Sequence, residues 1–145
     1  MRAFLSTIAY SEGTDNGRQP TANHGYDVIC GGSLFTDYSD HPRKLVRLKS
    51  YGISSTAAGR YQILKRYYDH YKTQLKLPDF SPASQDRIAI QLIRECGAFA
   101  DIEEGRIEIA LHKCRSRWAS LPGAGYGQHE YTTEALLNVF RSKLA

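Results

Sequence analysis

The hydrophobic period of this chain changes twice, and those changes alone narrow its architecture. Met1 to Tyr10 places Phe4, Leu5, Ile8 and Ala9 at i, i+1, i+4 and i+5, the pattern of one helical face. From Gly13 to Arg43 that repeat is lost and Gly, Asn, Asp and Ser take over. Inside this stretch, residues 26–30 read as a strand, Gly31-Gly32 as a turn and residues 33–36 as a returning strand, which predicts a hairpin. Residues 44–48 alternate basic and apolar side chains, as in a third short strand or an exposed lip. The small, hydroxylated residues 53–59 predict a loop. From Arg60 the 3.6 period returns through Tyr61, Leu64, Tyr68, Tyr71 and Leu75, until Pro78 stops it.

The helical signal then continues to the C-terminus. Ser81 and Pro82 are an N-cap and a first helical residue, followed by an apolar stripe of Ile88, Ala89, Leu92, Ile93 and Cys96 that Gly97 closes. A short helix is expected over residues 98–103. After Gly105 comes another, with Ile107, Ala110, Leu111, Cys114 and Trp118 on one face. The Gly-rich residues 121–127 exclude regular structure. Thr132 or Thr133 caps a last helix carrying Leu136, Leu137 and Phe140. Without repeats or linkers, the pattern predicts one α+β domain over residues 1–145, mostly helical, with a small antiparallel sheet near its beginning.

Several function classes are disfavoured. No run approaches the roughly 18 apolar residues of a membrane span. Tyr10, Ser11 and Glu12 interrupt the first apolar stretch before any cleavage site, so no signal peptide is expected. Three widely spaced cysteines, Cys30, Cys96 and Cys114, argue for free thiols in a reducing compartment rather than disulfides or zinc. The five histidines show no metal spacing, and the glycine clusters fit neither a P-loop nor a dinucleotide fingerprint. No metal or cofactor is expected. A net charge of +4 suits a polyanion such as nucleic acid, an acidic polymer or a cell envelope, without selecting one. The basic run at residues 43–49 lacks any nucleic-acid-binding module.

Glu12 is the first candidate for chemistry. Gly13 suits a helix-ending left-handed turn, which places Glu12 in the last turn, beside the negative end of the helix dipole. That position and any burial disfavour the carboxylate. A carboxylic acid still protonated near neutrality is what a glycosidase needs as proton donor. Among Asp15, Asp27, Asp37 and Asp40, Asp27 is the best second carboxylate because a charge is least expected inside the predicted hairpin. Tyr61 and Tyr126 sit beside Gly-rich backbone, where a ring can stack on a sugar. Gln62 carries donor and acceptor on one amide, suited to an N-acetyl group.

These elements fall in a recognisable order. They are Ser11-Glu12-Gly13-Thr14-Asp15-Asn16-Gly17-Arg18-Gln19, Asn23-His24-Gly25-Tyr26-Asp27-Val28-Ile29, Leu34-Phe35-Thr36-Asp37-Tyr38-Ser39-Asp40-His41-Pro42-Arg43-Lys44-Leu45-Val46, Gly59-Arg60-Tyr61-Gln62, Asp79-Phe80-Ser81-Pro82, Ser84-Gln85-Asp86 and Trp118-Ala119-Ser120-Leu121-Pro122-Gly123-Ala124-Gly125-Tyr126-Gly127-Gln128. Over residues 3–140 the chain closely resembles the lambda-type lytic transglycosylases, the phage endolysins of lysozyme-like fold. The resemblance implies a substrate groove between a small sheet and a helical body, with lips at about residues 44–54 and 121–131. It implies Glu12 as the catalytic acid, with Gly59 to Gln62 and the loop ending at Tyr126 lining the groove; together with the readings above, Asp27, Tyr61, Gln62 and Tyr126 are the substrate-binding candidates. It further implies cleavage of the β-1,4 MurNAc-GlcNAc bond of peptidoglycan to 1,6-anhydro-MurNAc, by a monomer that needs neither cofactor, nucleic acid nor membrane insertion. Such an enzyme accumulates in the host bacterial cytoplasm and reaches the wall through a holin. The chain starts later and ends earlier than the family pattern, which leaves the acid in place but shortens the support of the opening helix. The alternatives are a hydrolytic muramidase using Asp27, and a wall-binding protein without turnover.

Overall fold

The computed structural model describes residues 1–127 and 129–144. Chain contacts cluster into two compact units, Met1–Gly13 with Ala89–Ala145, and Thr14–Ile88. The described residues form six α-helices and one two-stranded antiparallel sheet, the α+β composition that the changing period predicts. None of these helices is long and apolar enough to cross a membrane.

The first unit is helical. Helix α1 (Arg2–Ser11) buries Phe4, Leu5, Ile8 and Ala9, each large side chain stabilising by about 2 kcal/mol. It packs against α6 (Thr133–Lys143), where Thr132 accepts the Ala135 N–H as the predicted cap. Helices α4 (Phe99–Glu103) and α5 (Ile107–Cys114) follow one another, separated by Gly105 at φ +80°. Trp118 lies beyond the end of α5, although the period placed it on that helix, and it is buried all the same. Buried Asp101 accepts ion pairs from Arg106 and Lys113, which tie α4 to α5.

The second unit departs further from the sequence reading. The expected hairpin at residues 26–36 is reduced to one bridge, Val28 with Leu34, while Ile29 bridges Ala58 on its other side. Gly31 and Gly32 make the turn, at φ +89° and +101°. The sheet proper is β1 (Val46–Leu48) with β2 (Ile53–Ser55), paired Val46 with Ser55 and Leu48 with Ile53. Residues 53–55 are therefore strand rather than loop. Three residues are too few for alternation to appear, and only the partner strand defines them.

Helix α2 (Lys65–Leu75) starts five residues later than the period predicts. Gln62 N–H bonds back to the Gly59 carbonyl, and Ala58 pairs with Ile63, so residues 59–63 form a tight turn with Gln62 at φ +52°. Tyr68 and Tyr71 on α2 are buried. Helix α3 (Pro82–Glu95) begins as expected, with Ser81 Oγ accepting the Ser84 N–H at 3.4 Å.

Candidate active site

The end of α1 builds the acid. Glu12 caps the helix with its N–H on the Ile8 carbonyl, and Gly13 at φ +79° turns the chain away. Glu12 is half-buried, with its carboxyl walled closely enough that burial pushes its pKa up from 4.5 to about 7. The Ser120 hydroxyl and the Ser120 backbone N–H both bond the carboxyl and hold it lower than burial alone would. The carboxyl therefore exchanges its proton near neutrality. Its position at the helix end matches the sequence expectation to within one residue.

Ser120 is fixed by its own segment. Its carbonyl accepts the Tyr131 N–H at 3.0 Å, and Leu121 N–H bonds the Trp118 carbonyl. The Gly-rich stretch beyond it is ordered by Glu130, whose two carboxylate oxygens accept the N–H groups of Gly123 and Gly125 at 3.0 and 2.9 Å. Those bonds hold the Glu130 carboxyl below the usual carboxylate range. Tyr126 donates its hydroxyl to the Ser116 carbonyl and leaves its ring 57% exposed.

The other candidates lie in the second unit, where partners of their own engage them. Asp27 is 4% exposed, and its carboxylate accepts the Thr21 hydroxyl at 2.5 Å and the Ala22 N–H at 3.0 Å. Both oxygens serve their own segment, so Asp27 is a structural carboxylate there. Tyr61 is 1% exposed, and its hydroxyl donates to Asp86 Oδ1 at 2.6 Å beside that of Tyr26 at 2.9 Å. Burial and the Asp86 bond push its pKa far above the usual tyrosine range. Its ring has no free face for a sugar. Gln62 is half-buried and spends its amide N–H groups on the carbonyls of Val28 and Gly59, at 3.2 and 2.9 Å. Oε1 is left as its available acceptor.

The remaining acids are also committed. Asp15 pairs with buried Arg60 at 2.6 Å, Asp40 pairs with Arg43, and Asp37 accepts the Ser39 N–H. Arg60 lies over the rings of Tyr26 and Tyr61, at 5.3 and 5.9 Å from their centroids. Sequence reasoning missed Ser11, Ser120 and Asp86 as residues that shape these surroundings. Ser11 adjoins the acid, but nothing in the sequence pairs residue 12 with residue 120.

The family model described as Endolysin matches residues 2–145. The endolysin of Escherichia phage lambda is 59% identical over 140 residues, covering 97% of this chain and 88% of that protein. The endolysin of Escherichia phage P2 is 56% identical over 149 aligned positions, covering 97% and 90%. Among solved structures, bacteriophage lambda lysozyme complexed with a chitohexasaccharide superposes with a TM-score of 0.97 at 58% identity, covering 99% of this chain and 93% of that one. Another structure of lysozyme from bacteriophage lambda gives a TM-score of 0.91 at 58% identity, covering 98% and 92%.

Proposed function

The chain belongs to the endolysin family, and from that premise we propose that it is a lytic transglycosylase of peptidoglycan, one catalytic domain spanning residues 1–145. It cleaves the β-1,4 bond between MurNAc and GlcNAc. The observation that carries the reading is the Glu12 carboxyl, whose pKa of about 7 lets it act as acid and as base at one pH. A relative that binds a chitohexasaccharide supports a glycan substrate.

Neutral Glu12 protonates the glycosidic oxygen as positive charge develops at C1 of the muramyl sugar. The Glu12 carboxylate then takes the proton of the C6 hydroxyl on that sugar, and O6 attacks C1. The products are a GlcNAc end with a free hydroxyl and a 1,6-anhydro-MurNAc end, and Glu12 is protonated again. An intramolecular nucleophile has a high effective concentration, so one carboxyl suffices. This suits a chain whose Asp15, Asp27, Asp37 and Asp40 are all held by other partners.

Gln62 Oε1 and the exposed ring of Tyr126 are the substrate contacts of this proposal, while Asp27 holds residues 21 and 22 and Tyr61 holds Asp86. The enzyme acts as a monomer on wall glycan after release from the host cytoplasm through a holin. Mass spectrometry of muropeptides from digested sacculi tests the reaction. Anhydro ends, one water lighter than hydrolysed ends, are expected. Hydrated reducing ends alone would establish a muramidase instead.

A further inference from the structure

A line of hydrogen bonds runs behind the Glu12 carboxyl. Ser11 Oγ donates to the Ile8 carbonyl at 2.9 Å, so its proton is committed and its lone pairs are open. Ser120 Oγ lies 3.0 Å from Ser11 Oγ and is also bonded to Glu12 Oε2. A hydroxyl has one proton, so Ser120 donates to one of these two oxygens at a time. Both serines are buried, at 5% and 7% exposure.

We propose that Ser120 is a positioning residue for Glu12, its hydroxyl proton directed at Ser11 Oγ while Glu12 is neutral and turned to Glu12 Oε2 when Glu12 is ionised. The proposal rests on the reading of Glu12 as the acid and base of the reaction. When Glu12 is ionised, the Ser120 hydroxyl is spent on Oε2. Ser120 itself gains and loses no proton, because its hydroxyl only rotates about Cβ–Oγ. A bond to an ionised acceptor is roughly twice as strong as one to a neutral acceptor. The Ser120 bond therefore strengthens as charge appears on Glu12, which is stabilisation given selectively to the transition state. Ser11 completes the device by accepting the hydroxyl in the neutral state.

The groups packed around α1 do not substitute for Ser120. Helix α6, packed on α1, carries Glu134, Arg141 and Lys143, and Tyr131 places its ring 5.4 Å from that of Tyr10. Among the described residues, burial and the two Ser120 bonds are what move the Glu12 carboxyl.

The test is titration of the 13C-labelled Glu12 carboxyl by NMR in the intact protein, beside pH-rate profiles on purified sacculi. Ser120→Ala is expected to move the midpoint up from about 7 by about one pH unit. The alkaline limb of activity should follow, and kcat should fall about tenfold with KM unchanged. Ser120→Thr should restore both. Ser11→Ala, which removes the alternative acceptor, should move the midpoint down. An unchanged midpoint in Ser120→Ala, or an upward shift in Ser11→Ala, would overturn the proposal. The titration needs no substrate, so its failure is distinct from failure of the transglycosylase reading, which the released muropeptides report.

Discussion

Gln85 fills the space that a side chain on Gly59 would need, since an added Cβ would lie 2.8 Å from Gln85 Cδ. Gln85 cannot withdraw. It is fully buried, its Oε1 accepts the Arg60 N–H at 2.9 Å, and its Nε2 donates to the carbonyls of Tyr26 and Phe80. Gly59 also sits at φ +83°. Gly59→Ala is expected to cost roughly 3 kcal/mol or more, the left-handed strain plus overpacking against a satisfied amide. Gly17→Ala separates the two effects, because Gly17 has φ +81° with nothing within 4 Å of the added Cβ. It should cost about 1 kcal/mol. Urea unfolding of both variants gives the comparison, and equal losses would refute the packing argument.

Tyr61→Phe tests whether Tyr61 is framework. The hydroxyl bond to Asp86 is lost while the bond from Tyr26 to the same oxygen remains, so stability should fall by about 1–2 kcal/mol. KM for sacculi should stay within about twofold, since a buried ring leaves no uniform binding to remove. A large rise in KM at unchanged stability would place Tyr61 on the substrate after all.

The long periodic segments were legible because a buried helical face repeats over many residues. Ile8, Leu92, Leu111 and Leu136 all face the core as their spacing requires. What escaped was structure defined by partners far away in sequence. Residues 53–55 become a strand only against residues 46–48, and residues 60–64 leave the helix because Ala58 pairs with Ile63. In the candidate site, the place of Glu12 at the end of α1 was legible from Gly13. The committed states of Asp27 and Tyr61 were not, because a residue type does not reveal that its polar atoms are already bonded.

Glu130 is expected to control the order of the Gly-rich segment. Each carboxylate oxygen serves one backbone N–H, of Gly123 and of Gly125, and an amide has one acceptor oxygen where the carboxylate has two. Glu130→Gln should therefore release one of the two N–H groups and speed its hydrogen exchange about tenfold. Because both bonds hold the carboxyl below its ordinary range, the clasp of the intact protein persists at neutral pH and opens only in acid. Unchanged exchange at both glycines in the variant would show that the segment is ordered by other contacts.

Glu12→Gln should abolish lysis, with a loss of about a thousandfold or more, because an amide cannot lend the proton. Its effect on stability has the opposite sign. The folded protein keeps the Glu12 proton up to a pH of about 7, whereas the unfolded chain releases it near 4.5. Between those values the folded state binds more protons, so stability is fully present at low pH and declines as pH rises through this window. The span corresponds to roughly 3 kcal/mol if taken whole, and partial exposure of the side chain reduces it to roughly 1–2 kcal/mol. Glu12→Gln has no such charge to bury, so above pH 7 it should be the more stable protein by about that amount, and the difference should shrink towards pH 4.5. Thermal unfolding of both proteins across this range measures the slope. Parallel stability curves would mean that the carboxyl pays no desolvation cost in the folded state, and the basis for its acid role would be lost with it.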